Sequence, residues 1–260
     1  MIDVEISPQD WLDTVTGFYE ALYHDLKTPM AILFNHVQHM EKMQGLPESA
    51  TMCLAEIKRS SFRMAKLVRD ANDRLRLNRG LLTPKYVKTD VVAVMRDICE
   101  NAQALMRTKD IRIIFESQEE SYYMSMDKQL WERIVLNLLA NGKDYSYHGG
   151  DICVSLKVEN DNFILSIRDF GVGIPEDKGC NLFAKYAGDT DRGLRSGLGL
   201  YIVKELLALM GGSVELLRAN PGTNVVIQAP IIHKEDIQER TMTVDDFFSD
   251  NMVQMELSNI

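Results

Sequence analysis

Apolar residues recur at three- and four-residue intervals from about Pro8 to Met43, through Leu12, Val15, Tyr19, Leu22, Leu26, Leu33, Val37 and Met40, with one gap near Pro29. A period sustained over that length specifies a single amphipathic helix. Gly45-Leu46-Pro47 breaks it, and a second run through Leu54, Ile57, Met64, Leu67, Ala71 and Leu75 continues to about Asn78. Two helices joined so closely predict an antiparallel hairpin. Alone, such a hairpin cannot bury both sides of its apolar stripes, so it is expected to pair with a second copy as a homodimeric four-helix bundle.

Gly80 to Pro84 reads as a hinge, and beyond it the pattern changes. A short strand is expected near Lys85 to Lys88, a helix capped by Asp90 from Val91 to about Arg107, and strands near Ile111 to Glu116 and Tyr122 to Met126. A helix starting at Asp127 runs to about Gly142, followed by strands at Ile152 to Val158 and Phe163 to Arg168. A glycine-rich irregular stretch, a helix from about Leu198 to Met210 and strands at Val214 to Leu217 and Asn224 to Ala229 complete the series. Strands paired with helices kept to one side predict an α/β sandwich, and with the hairpin an α+β protein. The expected division is residues 1–79 for the hairpin, 80–232 for the α/β domain and 233–260 for an acidic tail. In that tail Thr243 can cap a short helix with Val244, Phe248, Met252 and Met255 on one stripe. Such a helix could serve regulation or partner docking, or simply pack back on its own domain.

A net charge of −9 over 260 residues argues against nucleic acid and anionic membrane surfaces, which call for a basic face. Cys53, Cys99, Cys153 and Cys180 are scattered, without a C-x-x-C pair, and read as buried reduced thiols of a cytoplasmic protein. The longest apolar stretch, Leu198 to Met210, is interrupted by Lys204 and Glu205, which suits a core helix rather than a bilayer span. The first ten residues carry Asp3, Glu5 and Asp10 where a secretory signal would be positive.

Chemistry enters with His24-Asp25-Leu26-Lys27-Thr28-Pro29. A neutral imidazole is a nucleophile near pH 7, and a neighbouring carboxylate can hold one ring nitrogen protonated and leave the other to attack. Pro29 has no N–H for the carbonyl of Asp25, so the helix should bend or loosen beside the ring. Further on, Asn137 and Asn141 share a helix face with Arg133, and their amide oxygens suit Mg²⁺ held mainly by phosphates and water. Asp169 ends a strand as a carboxylate able to accept from an exocyclic amine, while Gly171 and Gly173 permit close approach to a flat base. Ser196-Gly197-Leu198-Gly199 runs into a helix whose amides can face a phosphate. Between them Lys185, Arg192 and Arg195 offer cations on a loop that can fold over a triphosphate.

Taken in order, these segments resemble the boxes of sensor histidine kinases. His24 to Pro29 resembles the H-box, Asn137-Leu-Leu-Ala-Asn141 the N-box, Asp169 to Gly173 the first glycine box, Asn181-Leu182-Phe183 the F-box, and Gly197-Leu198-Gly199-Leu200 the second glycine box. The resemblance covers roughly residues 10 to 231 and implies a phosphotransfer hairpin followed by an ATP-binding domain of the kind shared with gyrase, the Hsp90 chaperones and MutL. It implies that Asn141 binds Mg²⁺ with Asn137 in support, that Asp169 reads adenine, and that Tyr145, the glycines of both boxes, Ser196, Leu198 and the loop cations contribute to the ATP site. His24 would take the γ-phosphoryl group with Asp25 as base and pass it to an aspartate of a response-regulator receiver domain. Thr28 would orient water when the regulator is dephosphorylated.

The chain departs from that pattern in three places. Gly142-Lys143-Asp144-Tyr145 puts an acid where the family carries a phosphate-facing lysine, and Lys143 lies about 100° away round the helix. Arg195 replaces a glycine ahead of the second glycine box, and Ala184 replaces the common glutamate of the F-box. A degenerate kinase acting as a regulator-binding scaffold or phosphatase is therefore the alternative, and a conformational ATP clamp is a third. The 23 residues ahead of His24 are too few for a sensory domain. Signals are expected through a partner, a membrane receptor included.

Overall fold

A computed structural model describes residues 8–43, 45–106, 109–174 and 198–233, leaving outside the description the side chains of 8–13, 16, 20, 24, 105 and 198. The chain divides into two compact units between Leu82 and Thr83. The C-terminal tail beyond His233, the F-box and Cys180 lie outside the described residues.

The first unit is a hairpin of α1 (Pro8–Glu41) and α2 (Glu48–Asn78). α1 passes through Pro29 without interruption, because one lost hydrogen bond is affordable where neighbouring turns and packing persist. Phe34 and Phe62 meet across the hairpin with ring centroids 4.5 Å apart, and Met30, Val37, Leu54 and Ala65 are buried with them. Lys58 and Glu41 close the distal end at 2.9 Å. Tyr19, Leu22 and Met40 on α1 and Ile57, Met64 and Leu67 on α2 remain exposed. Of the expected α2 stripe only Leu54 is buried; Phe62 and Ala65 take the inward positions. The cysteine expectation is corrected here as well: Cys53 is exposed on α2, and in the second unit Cys99 is buried and Cys153 half-buried.

The second unit contains β1 (Val87–Asp90), α3 (Val91–Met106), β2 (Arg112–Ser117), β3 (Tyr123–Met126), α4 (Lys128–Tyr145), β4 (Asp151–Glu159), β5 (Asn162–Asp169), α5 (Leu198–Leu209), β6 (Ser213–Arg218) and β7 (Thr223–Pro230). Five strands form a mixed sheet in the order β2-β4-β5-β7-β6, with β2 and β4 parallel and the other pairs antiparallel; β1 and β3 pair separately. Alternate residues of the central strands, Ile152, Val154, Leu156, Phe163, Leu165, Ile167, Ile227 and Ala229, are buried. Trp131 of α4 packs on Phe163 at 4.8 Å. One apolar face under a helix layer follows from the period-2 pattern of the strands.

Several boundaries differ from the sequence expectation by one to three residues. β1 starts at Val87 rather than Lys85, since the Lys85 N–H is bound at 2.7 Å by the side chain of Asp127 instead of a ladder partner. α4 continues past Gly142 to Tyr145. Among the described residues no helix is long and apolar enough to cross a membrane.

Candidate functional site

Asp127 sets α4 in place: its Oδ1 accepts from the N–H groups of Gln129 (3.1 Å) and Leu130 (3.2 Å), satisfying two of the donors left open at a helix start. Nearly three turns on, Asn137 is only 2% exposed. Its Nδ2 donates to Arg133 O at 3.0 Å, and a Cβ added to Gly199, in the first turn of α5, would stand 3.0 Å from its Oδ1. The amide thus lies close against the start of α5. Asn141 is half-buried, and among the described residues its Nδ2 has no hydrogen-bond partner although it is shielded from solvent. Such an orphaned donor is costly unless something else meets it. Lys143 is 2% exposed, whereas Asp144 and Tyr145 are half-buried; a buried ammonium does not stand open to take the place of the missing lysine.

The end of α4 meets the end of β5. Val172 N–H donates to Tyr145 O at 3.0 Å, and a Cβ on Gly171 would collide with that same carbonyl, so only glycine lets the two backbones lie this close. Asp169 is 7% exposed. Its Oδ1 accepts from Gly171 N–H at 3.0 Å and from Thr223 N–H at 3.3 Å. Burial pushes its carboxyl above the ordinary aspartate range, against the pull of those backbone donors and of the Thr223 hydroxyl. From the other side, a Cβ on Gly222 (φ +89°) would strike Asp169 O, and one on Gly173 (φ +69°) would come within 3.2 Å of Gly222 O. The guanidinium of Arg168 lies over the Phe170 ring at 4.8 Å.

Asp169, Gly171, Gly173, Tyr145 and Asn141 thus cluster where α4, β5 and β7 converge, and Gly199 joins them through Asn137. Lys185, Arg192, Arg195, Ser196 and Gly197 lie outside the described residues; Leu198 opens α5, with its side chain outside the description. On the hairpin, Asp25 and Thr28 are exposed and the His24 side chain lies outside the description. Lys27 is buried, with its Nζ 5.6 Å from the centre of the Tyr23 ring. Sequence reasoning missed Thr223, 54 residues beyond Asp169. The Pro221-Gly222-Thr223 turn was the available signal, but nothing local ties it to Asp169.

Residues 126–233 match the family described as histidine kinase-, DNA gyrase B-, and HSP90-like ATPase. The sensor histidine kinase YvrG of Bacillus subtilis is 28% identical over 230 residues, which are 86% of this chain and 38% of that protein. Among solved structures, full-length ShkA in complex with AMPPNP superposes with a TM-score of 0.69 at 21% identity, over 84% of this chain and 46% of that one. The histidine kinase ThkA in complex with the response regulator TrrA gives 0.57 at 16% identity, over 88% and 66%. The chain spans less than half the length of the curated relatives it matches.

Proposed function

We infer that the chain is a transmitter core of the sensor histidine kinase family, and from that premise that it moves the γ-phosphoryl group of Mg·ATP to His24 and onward to an aspartate of a response-regulator receiver domain. The observation that carries the reading is the turn at Asp169: a buried carboxylate fixed by two backbone N–H groups, with glycines on both sides where a Cβ would strike or press on a neighbouring backbone carbonyl. An anion left in such a place is costly to the fold, and a ligand amine that donates to it offsets the cost.

In this proposal residues 1–79 supply the acceptor, 80–232 the nucleotide site and 233–260 an acidic tail that serves regulation or partner docking. Asp169 accepts from the adenine amino group. Gly171 and Gly173 shape the tight turn beside the base, and Tyr145 flanks it. Lys185, Arg192, Arg195, Ser196 and the Gly197-Leu198-Gly199 turn bind the phosphates. Asn141 is suited to Mg²⁺ as a neutral oxygen donor, with its Nδ2, unpartnered among the described residues, available to a phosphate oxygen; the ion, when bound, neutralises charge on the triphosphate. A ring nitrogen of His24 forms the new N–P bond as the bond to the ADP oxygen breaks, and Asp25 stabilises the charged ring. Catalysis is then placement and charge compensation. Thr28, one turn on, orients water for regulator dephosphorylation. The exposed apolar residues of both helices support a homodimer, and the regulator seen with ThkA supports a receiver domain as partner.

The test is incubation with ATP labelled at the γ-phosphate. Acid-labile, alkali-stable label that disappears in His24→Ala is the expected result. Absence of label despite binding of a receiver domain would instead favour the scaffold reading, for which the acid at Asp144 and the burial of Lys143 are the specific observations.

A further inference from the structure

Every helix C-terminus leaves four carbonyls without an intrahelical donor. In α4 each of the four has another donor. Ser146 N–H reaches Gly142 O at 2.8 Å and Val172 N–H reaches Tyr145 O at 3.0 Å. The two between them, Lys143 O and Asp144 O, are both taken by the ammonium of Lys109, at 2.8 and 3.2 Å. Lys109 sits in the connection from α3 to β2, and its own carbonyl accepts Gly149 N–H at 3.0 Å. One residue therefore grips the helix end with its side chain and the following loop with its backbone.

Charge gives the grip a purpose. A helix C-terminus already carries partial negative charge, and Asp144 adds a full one where a cation would be favourable. Lys109 returns a cation to that turn from a different element. The turn also holds the base of the site, because Asn141 lies within it or one residue before it and Tyr145 O anchors the first glycine box through Val172.

We propose that Lys109 is a positioning residue for the nucleotide site: its ammonium holds the last turn of α4 in register with the Asp169–Gly171 turn, and so sets nucleotide affinity without touching nucleotide. The inference rests on the reading of that convergence as the ATP site. Removing the ammonium leaves two carbonyls to compete for water, the turn frays, and Tyr145 O shifts against Gly171, which has no room to give.

The test measures binding of a fluorescent ATP analogue and the kinetics of His24 labelling for the wild-type chain, Lys109→Met and Lys109→Arg. Lys109→Met should weaken analogue binding and raise KM for ATP by about fivefold, the worth of a partly buried cation at a helix end, with kcat at saturating ATP within about twofold. Lys109→Arg, which keeps the charge and the donors, should restore affinity. Loss of affinity in Lys109→Met without that rescue, or a fall in kcat with KM unchanged, overturns the positioning role, as does equal affinity in Lys109→Met and wild type. Failure of the wild-type chain to bind the analogue would overturn the ATP-site reading itself. If Lys109→Met does not fold, Lys109→Gln, neutral but still a donor, decides: weakened binding supports the proposal and unchanged binding overturns it.

Discussion

Asp169 concentrates the opposition between stability and function in one side chain. Its folded-state pKa is raised by burial, so the stability tied to this group is fully present below the ordinary aspartate pKa of about 3.9 and is lost as pH rises through the raised value. Asparagine cannot ionise and can still accept from Gly171 and Thr223. Asp169→Asn should therefore melt at an equal or higher temperature than wild type at pH 7, with the difference closing at acidic pH, while losing ATP-analogue binding. Thermal denaturation across pH checks the first part, and a clear fall in melting temperature at neutral pH would contradict it. Gly171 is the opposite case. A methyl group there meets the Tyr145 carbonyl, which is backbone and already bonded to Val172, so Gly171→Ala should cost more than about 2 kcal/mol, in the range of overpacked cores. Urea unfolding reads this directly, and a loss under about 0.5 kcal/mol would mean that the two backbones part easily.

α4 is the element on which the site depends, and both its ends are tied down by side chains from elsewhere or just outside it. At its start, Asp127 caps two amides and also binds the Lys85 N–H at 2.7 Å. Asp127→Ala should cost about 1–2 kcal/mol by loss of the cap alone, with faster amide exchange at Gln129, Leu130 and Lys85. Equal exchange at Lys85 would show that the tether to β1 is held by other contacts. The helix tolerates Gly142 because a Cβ there would press to 3.0 Å on the Ile152 side chain. The sequence pattern carried the helix only to about Gly142, but in the fold this glycine is a packing accommodation, and the helix continues past it because donors wait for its last carbonyls.

At the scale of the whole molecule, the hairpin leaves apolar side chains of both helices in water. Ile57 and Met64 of α2 and Leu22 and Met40 of α1 are all exposed, and at 100° per residue each pair lies on one flank of its helix, turned away from Phe34 and Phe62. A second copy would cover them. Replacing Ile57 and Met64 together by glutamate should convert a dimer into a monomer in sedimentation velocity at micromolar concentration, with the melting temperature of the second unit unchanged. A wild-type chain that sediments as a monomer would remove the four-helix bundle from the proposal.

The elements themselves were legible from periodicity and punctuation. Long helical runs, β-strand alternation around Ile152 to Arg168, the cap at Asp90 and the helix start at Asp127 are local signals, and the structure carries these elements within a few residues. The motif residues Asp169, Gly171 and Asn141 were legible for the same reason, since each sits beside a turn or repeats along one helix face. Three things waited for the tertiary structure. The inward side of α2 depends on what α1 presents, so Phe62 and Ala65 turn in while Ile57 and Met64 stay out. Thr223 reaches Asp169 across 54 residues, through the pairing of β5 with β7. Lys109 reaches the end of α4 from 34 residues away. Sequence determined which segments are helix or strand and which residue types could bind, because those depend on neighbours along the chain; only the fold decided which distant donor satisfies which buried acceptor, because that depends on neighbours in space.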